Sequence, residues 1–153
     1  MLTQIELGQA NPSLVTVDKI ARALNTDFAG VVLASSVIDV LTVQPEGSAT
    51  VMWISPAGST ALLHVVTAAR GGSELWSWRL APDDRYTAQP DPSGSEELFL
   101  VTVGVLTIHV DGLAPTQVPA GVSARLASDR QYTYANDGSE LVTFVRVVVI
   151  RPH

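Results

Sequence analysis

The sequence predicts a mainly β protein: an antiparallel β-barrel preceded by a short α-helical segment. Three observations predict it. Within the first 34 residues, apolar side chains recur with the i, i+3, i+4 spacing of a helix. From Val37 onward, short runs rich in β-branched and aromatic residues alternate with turn clusters, at the spacing of a sandwich or barrel. The chain has 153 residues, 46% hydrophobic and 16% charged, which is long and apolar enough to bury a substantial core.

Taken in order, Leu2, Ile5 and Glu6 read as the end of a helix that stops at Gly8. Asn11-Pro12-Ser13 is a turn. Leu14, Val17, Ile20, Ala21 and Leu24 make the next helix amphipathic, with Ser13 or Thr16 as its N-cap. Asn25-Thr26-Asp27 breaks that helix and caps a short third one through Leu33. Ten strands are then expected. They are Val37–Val43, Thr50–Ser55, Ala61–Thr67, Glu74–Leu80, Leu98–Val103, Val105–Val110, Thr116–Val118, Ser123–Leu126, Gln131–Tyr134 and Leu141–Ile150. Between them stand breakers such as Pro45-Glu46-Gly47, Pro56-Ala57-Gly58, Pro82-Asp83-Asp84 and Asn136-Asp137-Gly138. The expected boundary divides a helical part, residues 1–34, from a barrel, residues 35–153.

Composition narrows the function. There is no cysteine, which excludes disulfides, thiol catalysis and thiolate metal sites. The most apolar stretch, Phe28 to Val43, is interrupted by Ser35, Ser36 and Asp39, so no membrane span is expected. The first residues lack the basic start and the cleavage site of a signal peptide, and the expected location is the cytoplasm. The net charge is −6, with only 9 Lys and Arg, an awkward balance for a DNA binder that draws its affinity from phosphate contacts.

The segment Leu2-Thr3-Gln4-Ile5-Glu6-Leu7-Gly8-Gln9-Ala10-Asn11-Pro12-Ser13-Leu14, continuing to Lys19-Ile20-Ala21-Arg22-Ala23-Leu24, resembles the phage-repressor-like (XRE) helix-turn-helix family. The resemblance implies that the first part ends a recognition helix, with Thr3 and Gln4 as remnants of its DNA-contacting surface. In that family two helices and the start of the recognition helix come before this point. The expectation is therefore an N-terminally truncated chain that binds operator DNA poorly, DNA being a partner of a full-length form.

The second region resembles the cupin family, whose barrel is a double-stranded β-helix. Glu97 is followed seven residues later by Gly104 and then by Asp111-Gly112, like the end of the first cupin motif. Tyr132 and Asn136 keep the four-residue offset of the His and Asn in the second motif. Carried over by position, the first-motif histidines fall on Asp91 and Ser93, the glutamate on Glu97 and the second-motif histidine on Tyr132. Losing three imidazoles implies no transition metal and no cofactor; an oxygen-only set for Mg or Ca is the alternative. His64, His109 and His153 do not replace the lost ligands.

Glu97 inside a barrel needs a partner, because an ionised carboxylate is costly in an apolar cavity. Arg79, Arg125 or a cationic ligand would serve, unless Glu97 lies solvated at the rim. Trp76 and Trp78 share one strand face and Tyr132 and Tyr134 another, as in the aromatic walls of ligand pockets, although such pairs also fill cores. The expected effector contacts are Asp91, Ser93, Glu97, Tyr132, Tyr134, Trp78 and Arg79. Asp83-Asp84 reads as a solvated turn without catalytic work.

The resemblances together imply a homodimeric, cytoplasmic transcriptional regulator whose barrel binds a small-molecule effector and which is not an enzyme. Two alternatives stand beside it. One is a cupin isomerase or oxygenase with oxygen ligands, in which Asp91 and Glu97 form an acid/base pair. The other is a dimerisation module whose barrel is filled by its own side chains.

Overall fold

The apolar spacing after the Asn-Pro-Ser turn produces a helix, α1 (Leu14–Ala23). Ala21 is fully buried and Ile20 half-buried, whereas Lys19 and Ala23 are exposed. Because α1 begins at Leu14, Thr16 lies inside its first turn rather than at the cap. The computed structural model describes residues 14–23, 41–67 and 72–151. Several expectations lie outside the described residues: the recognition-helix remnant with Thr3 and Gln4, the Asn11-Pro12-Ser13 turn, the third helix through Leu33, strand residues 37–40, and His153. The chain divides into two units, Met1–Val40 and Leu41–His153, each described by itself.

Among the described residues the second unit holds ten strands: β1 (Thr50–Ile54), β2 (Thr60–Val66), β3 (Ser73–Leu80), β4 (Arg85–Ala88), β5 (Glu96–Val103), β6 (Val105–Val110), β7 (Thr116–Pro119), β8 (Ser123–Ala127), β9 (Tyr132–Ala135) and β10 (Val142–Val149). They form two antiparallel sheets. One has six strands in the order β1-β2-β3-β10-β5-β8, the other four in the order β4-β9-β6-β7. Mainly antiparallel β architecture is therefore what the structure has.

Two strand expectations are corrected. Leu41–Val43 is not strand: Leu41 and Val43 are exposed, and no described strand pairs with them. β-Branched composition without a ladder partner leaves the segment irregular. Conversely, Arg85–Ala88 is a strand that its composition conceals. Its four residues pair with β9, Tyr86 opposite Tyr134, and the neighbour rather than local preference makes it extended.

Burial alternates along the central strands. Glu74, Trp76, Trp78 and Leu80 are buried on β3, Glu97, Phe99 and Val101 on β5, and Val142, Phe144, Arg146 and Val148 on β10. The four-stranded sheet contributes Tyr132 and Tyr134 from β9 and Leu106 and Ile108 from β6. Each large apolar side chain so buried contributes about 1.5–3 kcal/mol. The period-2 alternation thus places two glutamates and an arginine among the aromatic residues of the core.

Gly104 is where β5 of the larger sheet hands the chain to β6 of the smaller one. Its φ is +75°, and a Cβ there would lie 2.7 Å from the Leu141 carbonyl oxygen. Only glycine fits that conformation and that contact.

Candidate functional site

Glu97 lies on the inner face of β5 and is only 1% exposed. Arg146 reaches it from β10. Arg146 pairs in register with Phe99, so Glu97 is its diagonal neighbour on the same face. Arg146 Nη1 donates to Glu97 Oε1 at 2.8 Å, with both side chains buried. From the opposite sheet, the Tyr132 hydroxyl donates to the same oxygen at 2.8 Å, and the Tyr134 hydroxyl donates to Oε2. Arg146 Nη1 also donates to the Tyr134 hydroxyl oxygen at 3.2 Å. The Arg146 guanidinium carbon lies 4.8 Å from the centre of the Trp76 ring and 5.0 Å from that of Trp78. Trp76 is its cross-strand partner on β3, which explains the stacking.

The charges of this cluster hold one another. Burial works against the Arg146 charge, but Glu97 and the two tyrosine oxygens outweigh it and hold the guanidinium pKa well above its usual value. Burial and the Glu97 charge push both the Tyr132 and Tyr134 phenols up, so they remain donors.

Asp91 belongs to the same neighbourhood but is less enclosed. Its amide donates to the Ser128 carbonyl at 2.9 Å, and the amide of Ser128 returns to the Ser95 carbonyl at 3.0 Å, fixing the turn that carries it. Burial pushes its carboxyl up to about 6; the Glu97 charge adds to this, while the Ser128 hydroxyl and Arg146 oppose it. Beyond the cluster an aromatic path leads outward. Trp78 lies 4.8 Å from Tyr86 and 5.7 Å from Trp53, centre to centre, and Tyr86 and Trp53 are half-buried.

The structure brings together Glu97, Tyr132, Tyr134 and Trp78 and sets Asp91 within electrostatic reach of them. It corrects three other expectations. Ser93 is exposed in the turn after Asp91, so it does not join the cluster. Arg79 is exposed because it follows Trp78 on β3 and alternation turns it outward. Arg125 pairs with Glu96, the outward neighbour of Glu97. Nor is Glu97 solvated at a rim.

Arg146 is the residue sequence reasoning missed. Its signal was present: one arginine in step with Val142, Phe144 and Val148 along an alternating strand. Tyr86 was hidden because its strand was. Asn136, the last residue of the second motif, has structural work: its Nδ2 donates to the carbonyls of Leu80 at 3.0 Å and Glu140 at 2.7 Å. His64 is exposed and bonded to Ser77, and His109 stands 3.8 Å from Asp137.

Among solved structures, an HTH_3-family transcriptional regulator from Vibrio cholerae is 23% identical over 99% of this chain and 79% of its own, with a TM-score of 0.67. A cupin superfamily protein from Desulfitobacterium hafniense DCB-2 is 8% identical over 76% of this chain and 97% of its own, with a TM-score of 0.53. The fold is that of a cupin. An oxalate oxidase in complex with the substrate analogue glycolate is 18% identical over 65% of this chain and 55% of its own, with a TM-score of 0.51. No protein-family model matches the chain, and no curated protein does.

The expectation that the chain is not an enzyme is corrected by these likenesses. An oxidase shares the cupin barrel with a regulator, so the fold serves catalysis as well as regulation and does not exclude enzymatic activity.

The cupin fold also implies a metal held by imidazoles and a glutamate. The residues here do not fit one. Glu97 already accepts from a guanidinium and two phenols, Tyr132 presents a donor where a ligand lone pair is required, and Ser93 faces solvent. Among the described residues, no three His, Cys, Asp or Glu side chains are grouped to hold a metal ion.

Proposed function

We propose that this chain is the effector-sensing part of a transcriptional regulator, a helical DNA-binding segment followed by a cupin barrel that recognises a small organic molecule. One observation carries the reading. The likeness to the Vibrio cholerae regulator extends over 99% of this chain, and so takes in the residues ahead of the barrel, whereas the oxalate oxidase matches only 65%. On this reading residues 1–34 are the DNA-binding segment and residues 35–153 the sensor. The molecule works as a homodimer in the cytoplasm, and the effector favours one arrangement of the dimer over another.

The effector site we infer is the aromatic wall ending at Asp91. Trp53 and Tyr86 are half-buried, Trp78 and Tyr134 continue the wall inward, and Asp91 supplies a carboxyl that titrates near neutrality. Rings with a few fixed polar groups suit a small ligand, and an amine would pair with Asp91 and stack on the rings. A thermal-shift screen against amino acids, polyamines and small organic acids tests this. A binder should raise the melting temperature by mass action, and Asp91→Asn should abolish the rise. A flat response across the panel refutes the sensor.

A second reading, acid–base catalysis, is favoured by the Asp91 carboxyl itself, since a group with a pKa of about 6 both gives and takes protons at neutral pH. Turnover of a ligand found in the screen, rather than its reversible binding, decides for it.

A further inference from the structure

We propose that Arg146 is the built-in cation of this barrel, its guanidinium standing beside Glu97 where metal-bearing barrels of this fold hold an ion. Glu97 occupies the position of the motif glutamate. The positive charge beside it comes from the protein, 2.8 Å away, and neither side chain is more than 7% exposed. The surroundings are built for a guanidinium rather than an ion. Trp76, Trp78 and Tyr134 offer ring faces at 4.8, 5.0 and 5.9 Å, which suit a flat, weakly hydrated cation. A divalent ion seeks lone pairs from several sides.

The polarity of the neighbouring groups agrees. A metal site points lone pairs at one centre. Here the hydroxyls of Tyr132 and Tyr134 point hydrogens at Glu97, and Arg146 adds a third donor. The carboxylate, not a cation, is the centre of coordination. A metal ion brought to Glu97 would meet the guanidinium at close range and find its oxygens already engaged. The inference rests on this geometry alone and holds whether the barrel senses or catalyses.

The test uses the full chain and three substitutions. In calorimetric titration the unaltered protein should take up no Ni2+, and its melting temperature should not move with Ni2+ or a chelator. Arg146→Met, which keeps bulk but not charge, should lower the folding equilibrium on the order of 1000-fold, as expected when a buried pair loses one partner. Arg146→Lys should lose clearly less. Arg146→Ala should regain melting temperature with millimolar guanidinium, which can enter the vacated place, and not with Ni2+, which finds no converging lone pairs there. If Arg146→Ala fails to fold alone, its folding on addition of guanidinium supports the proposal equally. Stoichiometric Ni2+ uptake by the unaltered protein overturns it. So does equal stability of the Lys and Met variants, or no recovery of Arg146→Ala with guanidinium.

Discussion

A carboxylate withdrawn from water must have its lone pairs occupied, and at Glu97 the two oxygens are unequally served. Oε1 accepts from both Tyr132 and Arg146, whereas Oε2 accepts from Tyr134. The two tyrosines should therefore not be equivalent. Tyr134→Phe should cost about 2–3 kcal/mol of unfolding free energy, because it strips Oε2 of that donor in a fully buried place. Tyr132→Phe should cost less, since Arg146 still serves Oε1. Urea unfolding of the two variants checks the order, and the reverse order would contradict the network. Asp91 gives a pH signature of opposite kind. Its folded pKa, about 6, lies above the ordinary 3.8, so the folded chain holds the proton more tightly. Stability from this residue is complete below about pH 4 and declines as pH rises through 6, by on the order of 3 kcal/mol. Asp91→Asn should remove that decline when unfolding is compared at pH 4.5 and 7.5. Glu97, Tyr132 and Asp91 were legible because motif spacing fixes position. Their partner was not, because a diagonal contact between β5 and β10 depends on a register that no local pattern states.

Among the elements, the β1–β2 hairpin, already paired to β3 through β2, is tied at its turn to the Asp84 turn by a small polar clamp. The hydroxyls of Ser55 and Ser59 both donate to Asp84 Oδ2, the amide of Ala81 donates to Ser59 Oγ at 2.9 Å, and that of Ser59 to Ser55 Oγ at 3.1 Å. Asp84 is thus more than the solvated turn residue its Pro-Asp-Asp setting predicts. Burial alone would raise its pKa, but the two hydroxyls and the Arg85 amide hold it below the usual value. Asp84→Ala should lower stability by about 1–2 kcal/mol and speed amide exchange at Ser59 and Ala81 ahead of the core strands. The clamp positions Trp53, since β1 ends one residue before Ser55. A second elemental test is Gly104→Ala. Positive φ together with a Cβ 2.7 Å from the Leu141 oxygen should cost about 1–3 kcal/mol, read by chemical denaturation. Strand existence was mostly legible, since alternation and turn residues are local properties. The lapses came where pairing overrode composition: Arg85–Ala88 is extended by β9, and Leu41–Val43 lacks a described partner.

At the scale of the whole molecule, the charge that made DNA binding hard to credit is distributed in a definite way. Of the 9 Lys and Arg residues, Arg146 is committed to Glu97 inside the barrel, and Arg85, Arg125 and Arg130 lie against Asp137, Glu96 and Asp129 at its surface. Surface pairs of this kind contribute little stability, yet they cancel the local field that a phosphate backbone would need. With 11 Asp and Glu against 7 Lys and Arg, residues 41–153 repel duplex DNA rather than gathering it. Contact with DNA in the proposed regulator therefore falls to the first unit, where Lys19 is exposed on α1 and Arg22 lies in the same helix. Measured at low ionic strength, where even weak association registers, the salt dependence of duplex binding should distinguish the units. Removing a phosphate contact through Lys19→Ala should reduce the slope of log affinity against log salt by roughly 1. Replacing both Arg85 and Arg125 with glutamine should leave that slope where it was. A slope that fell with the barrel substitutions and ignored the helix would reverse the assignment, making the acidic barrel rather than the helical unit the surface that meets nucleic acid.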